Sequence, residues 1–320
     1  MSEPIDIFRA LADPTRLRIF ALLRAMELSV GELAQVLGQS QPRVSRHVKI
    51  LCDAGVAERR REGSWVFLGL GDPALVTPLT LAIDAWQPVP SRDHWQAADA
   101  ARLAAVRADR AAAAARYFDA HAEQWDAIRS LHIAESEVEA AMRALLTDEA
   151  IGRLVDVGTG TGRMIALFGH AAESALGVDR SPQMLRLARA RLAEAGLDAA
   201  ELRQGDMYAL PLSDAAADTV IIHQLLHFAH QPEAVIAEAA RLIAPKGRLL
   251  IADFASHERE ELRTEDAHVR LGFADQQIAH WFTDAGLALE AVQELQGGEL
   301  TVKLWLGRRT QDIENQRKAA

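Results

Sequence analysis

The run Leu154-Val155-Asp156-Val157 leads into Gly158-Thr159-Gly160-Thr161-Gly162 and then into a second apolar stretch through Leu167. A strand that ends in a glycine-rich turn and restarts as a helix brings bare backbone close to a ligand. The spacing is D-x-G-x-G-x-G. It differs from the G-x-G-x-x-G pattern, in which a helix N-terminus faces a pyrophosphate, and so shifts the expectation away from dinucleotides. A second strand, Ala175-Leu176-Gly177-Val178-Asp179, ends in a carboxylate seventeen residues after Gly162. A carboxylate there can accept both hydroxyls of a ribose. Ser181-Pro182 then opens a helix bearing Met184, and Gly205-Asp206-Met207 follows a third strand. Thr219-Val220-Ile221-Ile222-His223 reads as a fourth strand, and residues 248 to 254, after Pro245-Lys246-Gly247, as a fifth.

This ordered set resembles the motifs of class I S-adenosylmethionine-dependent methyltransferases. The resemblance implies a Rossmann-like, doubly wound α/β sheet that binds S-adenosylmethionine or S-adenosylhomocysteine. Asp156 would arrange the loop and the amino-acid end of the ligand, with Gly158, Thr159, Gly160 and Gly162 forming the turn. Asp179 would take the ribose and Met184 the adenine face. Asp206, beside Met207, would hold the adenine amino group, with His223 at the end of strand four completing the set.

Methyl transfer from a sulfonium is mostly positioning, with the acceptor in line with the methyl carbon. If an acceptor hydroxyl or amine must lose a proton, a base is needed nearby. His223, His227 and His230 follow strand four, and His227 is the candidate. Histidines at this helix-like spacing also serve as caps or surface groups. A metal site would need further converging ligands, so none is assigned. Residues 257 to 271, rich in Glu, Arg and His, could roof the pocket together with Tyr117 and Trp125; an exposed charged helix is the plain alternative.

The first seventy residues are punctuated differently. Asp13-Pro14 opens a helix with the stripe Ile19, Leu22, Leu23 and Met26. Ser29 caps a second helix, with Val30, Leu33, Ala34 and Leu37 facing inward, and Gly38 ends it. After Gly38-Gln39-Ser40 a third helix buries Val44, Val48 and Leu51. That leaves Gln41, Arg43, Ser45, Arg46 and Lys49 for base edges and phosphates. Residues 56 to 61 and 64 to 70 read as a hairpin around Glu62-Gly63, carrying Arg59, Arg60 and Arg61.

The run from Ala10 to Ile19, with residues 40 to 51, closely resembles the ArsR family of dimeric winged-helix repressors. That implies operator DNA as partner and a homodimer. Many relatives sense metal through paired cysteines in the second helix, but Glu32-Leu33-Ala34-Gln35-Val36 has no thiolate. Arsenite methylation, which depends on several cysteines, is rejected because Cys52 is the only one. A buried core position is expected for it. The architecture resembles ArsR-type regulators with a methyltransferase-like domain, some of which respond to S-adenosylhomocysteine. Three readings stay open: a regulator that senses the adenosyl ligand, a small-molecule methyltransferase with an attached winged helix, and a first domain that only dimerises the second.

The chain has 320 residues, 49% of them hydrophobic, which is enough for two cores. Net charge is −10, yet residues 1 to 70 hold ten Lys and Arg against eight Asp and Glu, a net of +2. The remaining 250 therefore carry −12, so the acidity belongs to the second domain. No apolar run is long enough to span a membrane and the amino terminus does not read as a signal, so the expected location is the cytoplasm. The expected division is a winged helix-turn-helix over 1–72, dimerisation and connecting helices over 73–150, an adenosyl-binding domain over 151–308, and a frayed tail over 309–320. Within the connector, Thr77-Pro78 opens a helix with Leu79, Ala82, Ile83 and Trp86, and an Ala- and Arg-rich arm runs from about 92 to 128.

Overall fold

The computed structural model describes residues 4–62, 65–85, 95–121, 134–146, 148–296 and 299–310. The expected Glu62-Gly63 turn falls partly outside these residues, as does nearly all of the tail, and Trp86 and Trp125 lie outside them. Two compact units divide between Ala113 and Ala114.

In the first unit, α1 (Pro4–Leu11) and α2 (Pro14–Ala25) precede a short strand, β1 (Leu28–Ser29). Next come α3 (Val30–Leu37), α4 (Gln41–Asp53), and the hairpin β2 (Ala57–Glu62) and β3 (Trp65–Leu70). Local chemistry explains the boundaries. Asp13 Oδ1 accepts the Arg16 amide at 3.0 Å, ahead of Pro14, whose lost N–H costs nothing in a first turn. Ser29 and Glu32 form a reciprocal capping box, and Gly38 closes α3 at φ 65°. Ser40 occupies the cap position of α4 but makes no side-chain cap bond. Ile19, Leu33, Val44, Val48, Leu51 and Leu68 form the core. Cys52 is only half-buried rather than a core residue; burial still pushes its thiol above the ordinary value.

Two elements of this unit differ from expectation. Helix α5 (Pro73–Ala85) starts four residues before Thr77, where Asp72 Oδ1 accepts the Ala74 amide at 2.8 Å, so Pro78 lies inside the helix. Strand β1 pairs antiparallel with β3 and extends the wing to three strands. The arm is a helix, α6 (Trp95–His121), and its Leu103 and Val106 enter the first core. Its first half is thus a structural part of this unit. Asp99 is 4% exposed and takes a two-point bond from Arg18, at 2.7 and 2.6 Å.

The second unit is a seven-stranded sheet. Its strands are β4 (Arg153–Val157), β5 (Ser174–Asp179), β6 (Glu201–Gln204), β7 (Ala217–His223), β8 (Ile243–Phe254), β9 (Leu287–Gln296) and β10 (Thr301–Arg309). The spatial order is β6-β5-β4-β7-β8-β10-β9, with β10 antiparallel to both neighbours and the first five strands parallel. Both faces are apolar, as a parallel sheet requires. Val155, Val157, Val220, Ile222, Leu249 and Ile251 pack with α10 (Pro232–Leu242) and α12 (Asp275–Asp284). Leu154, Ile221, Leu250 and Ala252 pack with α7 (Glu135–Leu146) and α8 (Arg163–Phe168). Helix α9 (Pro182–Glu194) connects β5 to β6, and α11 (Glu261–Glu265) follows β8. The winding reverses between β4 and β7, and in open α/β sheets the ligand crevice lies outside the carboxyl ends at such a switch.

Candidate adenosyl site and nucleic-acid interface

Three of the expected ligand carboxylates reach the same sheet edge. Asp156 is buried in β4, opposite Gly177 of β5 and Ile221 of β7. Asp179 ends β5, and Asp206 stands exposed two residues beyond β6. The turn is closed by its own backbone: the amides of Gly158 and Thr159 both donate to Val178 O, at 2.8 and 3.0 Å. Gly158 has φ 71°, which favours glycine, and a Cβ there would come within 2.7 Å of the Leu225 side-chain methyls, so that side chain lies on the turn. Gly162 has φ 79° and starts α8 against Ala188 of α9, where a Cβ would sit at 3.1 Å.

Asp179 has a second task beside the one expected. Its Oδ2 accepts the Gly160 amide at 2.8 Å and its Oδ1 the Ser181 amide at 2.8 Å. The amide a phosphate would need is therefore turned onto a carboxylate. A carboxylate on the turn suits hydroxyl and amino donors and opposes a polyphosphate. A nucleoside without phosphate fits this donor set.

Other expected contacts are placed inside the domain. Thr159 turns its hydroxyl toward Gly177, Met184 is buried in the first turn of α9, and Met207 packs on the apolar cluster with Leu210. The loop carrying Asp206 is pinned by Tyr208, whose hydroxyl accepts the amides of His230 and Gln231 at 3.0 and 3.3 Å. Burial raises the Tyr208 hydroxyl above its ordinary value. Tyr117 lies on α6, and its side chain is outside the described residues.

The histidines do not follow one helical face. Gln224 has φ 48°, and Leu226–Phe228 is a single 3-10 turn, so the chain swings sharply after β7. His223 Nε2 lies 3.7 Å from Glu135 Oε1 at the start of α7. His227 is 2% exposed and its Nδ1 is 2.8 Å from Oδ1 of Asp253, the penultimate residue of β8. His268 lies against the His227 ring, with centroids 4.2 Å apart. Residues 257–271 fold back over this edge: the Val269 and Arg270 amides donate to His227 O at 2.8 and 2.9 Å, and Leu262, His268 and Arg270 are buried. The segment is thus a packed cover, not an exposed helix. Among the described residues no group of three His, Cys, Asp or Glu could hold a metal ion.

Sequence reasoning missed Asp253 and Gln224. Asp253 was visible as a lone carboxylate ending the apolar run Leu249-Leu250-Ile251-Ala252. Gln224 carried no signal beyond being the first polar residue after His223.

In the first unit, α3 and α4 form a helix-turn-helix. Gln41, Arg43, Arg46 and Lys49 are exposed, Ser45 is half-buried, and Val44, Val48 and Leu51 face the core. Lys49 Nζ lies 2.9 Å from Asp53 Oδ2, which leaves Arg43 and Arg46 as the principal cations of this helix. Arg59 is exposed on β2. Arg60 departs from expectation: strand alternation turns it to the other face, where it forms a two-point bond to Glu27 at 3.1 and 2.6 Å and covers the Phe67 ring. Arg61 is on β2, with its side chain outside the described residues.

The fold and these two edges define a winged-helix protein with a methyltransferase-type α/β domain. Residues 11–60 match the family described as helix-turn-helix domain, and residues 155–251 match that described as methyltransferase domain. The chain belongs to the ArsR-type helix-turn-helix family through its first unit and carries a methyltransferase domain in its second. It is 39% identical over 85 residues to the arsenical resistance operon repressor of Escherichia coli strain K12, covering 26% of this chain and 73% of the repressor. It is 35% identical over 112 residues to phosphatidylethanolamine N-methyltransferase of Cereibacter sphaeroides, covering 35% of this chain and 55% of that enzyme. The chain therefore spans about half of that curated relative. A chain from the complex of the Haloferax volcanii Trm112 methyltransferase activator with a methyltransferase superposes with a TM-score of 0.51 at 22% identity. The match covers 60% of this chain and 96% of that one, and shares the fold. Among the described residues no helix is long and apolar enough to cross a membrane.

Proposed function

We propose that this protein is a DNA-binding transcriptional regulator, acting as a homodimer, whose methyltransferase-like domain senses S-adenosylhomocysteine or S-adenosylmethionine. The observation that carries the reading is the phosphate-free closure of the glycine turn, Gly160 N–H on Asp179, in a chain that also exposes Arg43 and Arg46 on a recognition helix. Asp156, Asp179 and Asp206 bind the nucleoside and the turn, and Gln41, Arg43, Ser45, Arg46 and Arg59 meet DNA. When bound, the sulfonium form would supply a transferable methyl group, while the demethylated form would act only as a signal.

Sensing requires the ligand to bind the DNA-competent and DNA-incompetent states with different affinity, because equal affinity shifts nothing. The test uses duplexes that the full chain selects from a random pool, titrated by fluorescence anisotropy with each adenosyl compound and without. A change in DNA affinity of at least about fivefold with one of them is expected. Identical affinity in all three conditions would exclude sensing.

A second reading, methyl transfer to a small molecule, is favoured by one specific observation, the buried His227–Asp253 pair. A base oriented in this way can take a proton from an acceptor hydroxyl or amine. Mass spectrometry of cell extract incubated with methyl-labelled S-adenosylmethionine would reveal a labelled product; a protein that binds the ligand tightly but labels nothing is a sensor alone.

A further inference from the structure

A helix leaves its last four carbonyls without partners of its own. At the end of α3 all four are taken. The amides of Gln39 and Gly38 donate to Ala34 O and Gln35 O, at 3.0 and 3.3 Å, in the turn that leads into the recognition helix. The other two carbonyls accept from arginines of distant elements. Arg102 Nη1, on α6, donates to Val36 O at 3.1 Å, and Arg18 Nη2, on α2, to Leu37 O at 3.4 Å. Both guanidinium groups gather on Asp99 of α6, Arg18 at 2.7 and 2.6 Å and Arg102 at 4.0 Å. A Cβ on Gly38 would stand 3.7 Å from Arg102 Nη1, so the cation lies beside the left-handed residue that ends α3.

The turn Gly38-Gln39-Ser40 sets the angle at which α4 leaves α3, and the pose of a recognition helix in a major groove depends on that angle. One of the two cations at this joint, and the carboxylate that gathers both, belong to α6. Positive charge on the last carbonyls of a helix also complements its dipole. Helix α6 is unbroken from Trp95 to His121, so it begins on the first unit and ends beyond the division between Ala113 and Ala114. A rigid element of this kind can carry energetic coupling from one end to the other. Arg107 fastens the same helix elsewhere, with Nη2 2.9 Å from Ala25 O at the end of α2.

We propose that the seat of Arg102 and Asp99 on the carboxyl end of α3 is the joint through which the adenosyl ligand controls DNA binding. With α6 seated, the turn and the recognition helix are held in the DNA-binding geometry; with α6 displaced, Val36 O loses its donor and the turn is released. The ligand acts by binding the protein better in one of these two positions, since only a difference in affinity shifts the balance. The inference rests on the sensing reading above and adds its route.

The test uses the full chain, with DNA affinity read by fluorescence anisotropy without ligand and with saturating S-adenosylhomocysteine or S-adenosylmethionine, and ligand affinity read by calorimetry. Arg102 is exposed, so its replacement opens no core. R102A binds DNA with the weaker of the two wild-type affinities, and its response to ligand falls from at least about fivefold to less than about twofold. It still binds the adenosyl compound within about threefold of wild type. R102K keeps a cation at the joint and restores a response of about threefold or more. R107A, which loosens α6 away from the joint, responds as wild type does. An R102A that responds like wild type, or that binds DNA with the stronger affinity, overturns the joint and leaves sensing intact. Equal loss in R107A assigns the coupling to docking of the arm as a whole and also overturns the joint. Wild-type DNA affinity that is the same in all conditions overturns both the joint and the sensing reading.

Discussion

Oδ1 of Asp253 lies 2.8 Å from Nδ1 of His227, with the carboxylate wholly buried and the imidazole nearly so. The same carboxylate accepts the backbone amides of Leu226, His227 and Phe254, at 2.9, 3.3 and 2.8 Å. It therefore fixes both the 3-10 turn after β7 and the ring it carries. A carboxylate accepts, so the proton of a neutral His227 sits on Nδ1 and the lone pair on Nε2.

Nitrogen-15 spectra of histidine-labelled protein should show His227 as the Nδ1–H tautomer. In D253N the amide can donate to Nδ1, and the tautomer should change to Nε2–H. Removing the carboxylate from four donors should also cost about 2 to 4 kcal/mol in the urea unfolding transition of the second unit. An Nε2–H signal in the wild type would remove the argument for a base.

Stability should depend on acid through Glu238. The Arg241 guanidinium, with Nη2 2.7 Å from Oε1, holds this carboxyl below its ordinary value; burial opposes the shift, and the Leu210 amide at 2.7 Å adds to it. A depressed acid stabilises the folded state fully above its unfolded value of 4.5 and loses that contribution as pH falls through the lower folded value. E238Q should thus be less stable than wild type near pH 7, with the gap closing as pH falls below 4.5. A gap that stays constant as the pH is lowered would contradict the assignment.

The two-point bond between Arg18 and Asp99 should hold the first half of α6 on the first unit. Arg102 Nη1 to Val36 O at 3.1 Å and Arg107 Nη2 to Ala25 O at 2.9 Å support it. D99A leaves Arg18 only the Leu37 carbonyl, 3.4 Å from Nη2, and should lower protection of residues 95–107 in hydrogen exchange by about 1.5 to 3 kcal/mol. Unchanged protection would show that Leu103 and Val106 suffice.

The arginines of the first unit should separate by partner. R43A and R46A should each weaken DNA binding and reduce the salt slope by about 1. R60A should leave the slope unchanged and cost about 0.5 to 1 kcal/mol of stability through Glu27. A slope that falls with R60A would mean that Arg60 exchanges Glu27 for phosphate on binding.

What could be read from residue order alone was whatever depends on neighbours in the chain. Caps at Asp13, Ser29 and Gly38, the stripe Val44, Val48 and Leu51, and the glycine turn between β4 and α8 are local events, set by backbone freedom and by periods of two or 3.6. Those signals were enough for two domains, a helix-turn-helix and a doubly wound sheet. Folding decided the rest because it depends on contacts between distant segments. Nothing local tells Arg60 that it will meet Glu27, or Asp179 that it will accept Gly160. The start of α5 was misjudged because Pro78 reads as a first-turn proline, while the Asp72 cap that opens the helix earlier is a subtler sign. The helix-spaced histidines lost their common face because His223 still belongs to β7, near Glu135, while the chain turns left-handed at Gln224 and brings His227 to Asp253. Pairings of this kind arise where the ends of strands far apart in sequence meet, and hydrophobic pattern specifies which strands are buried but not which polar side chains meet at their ends.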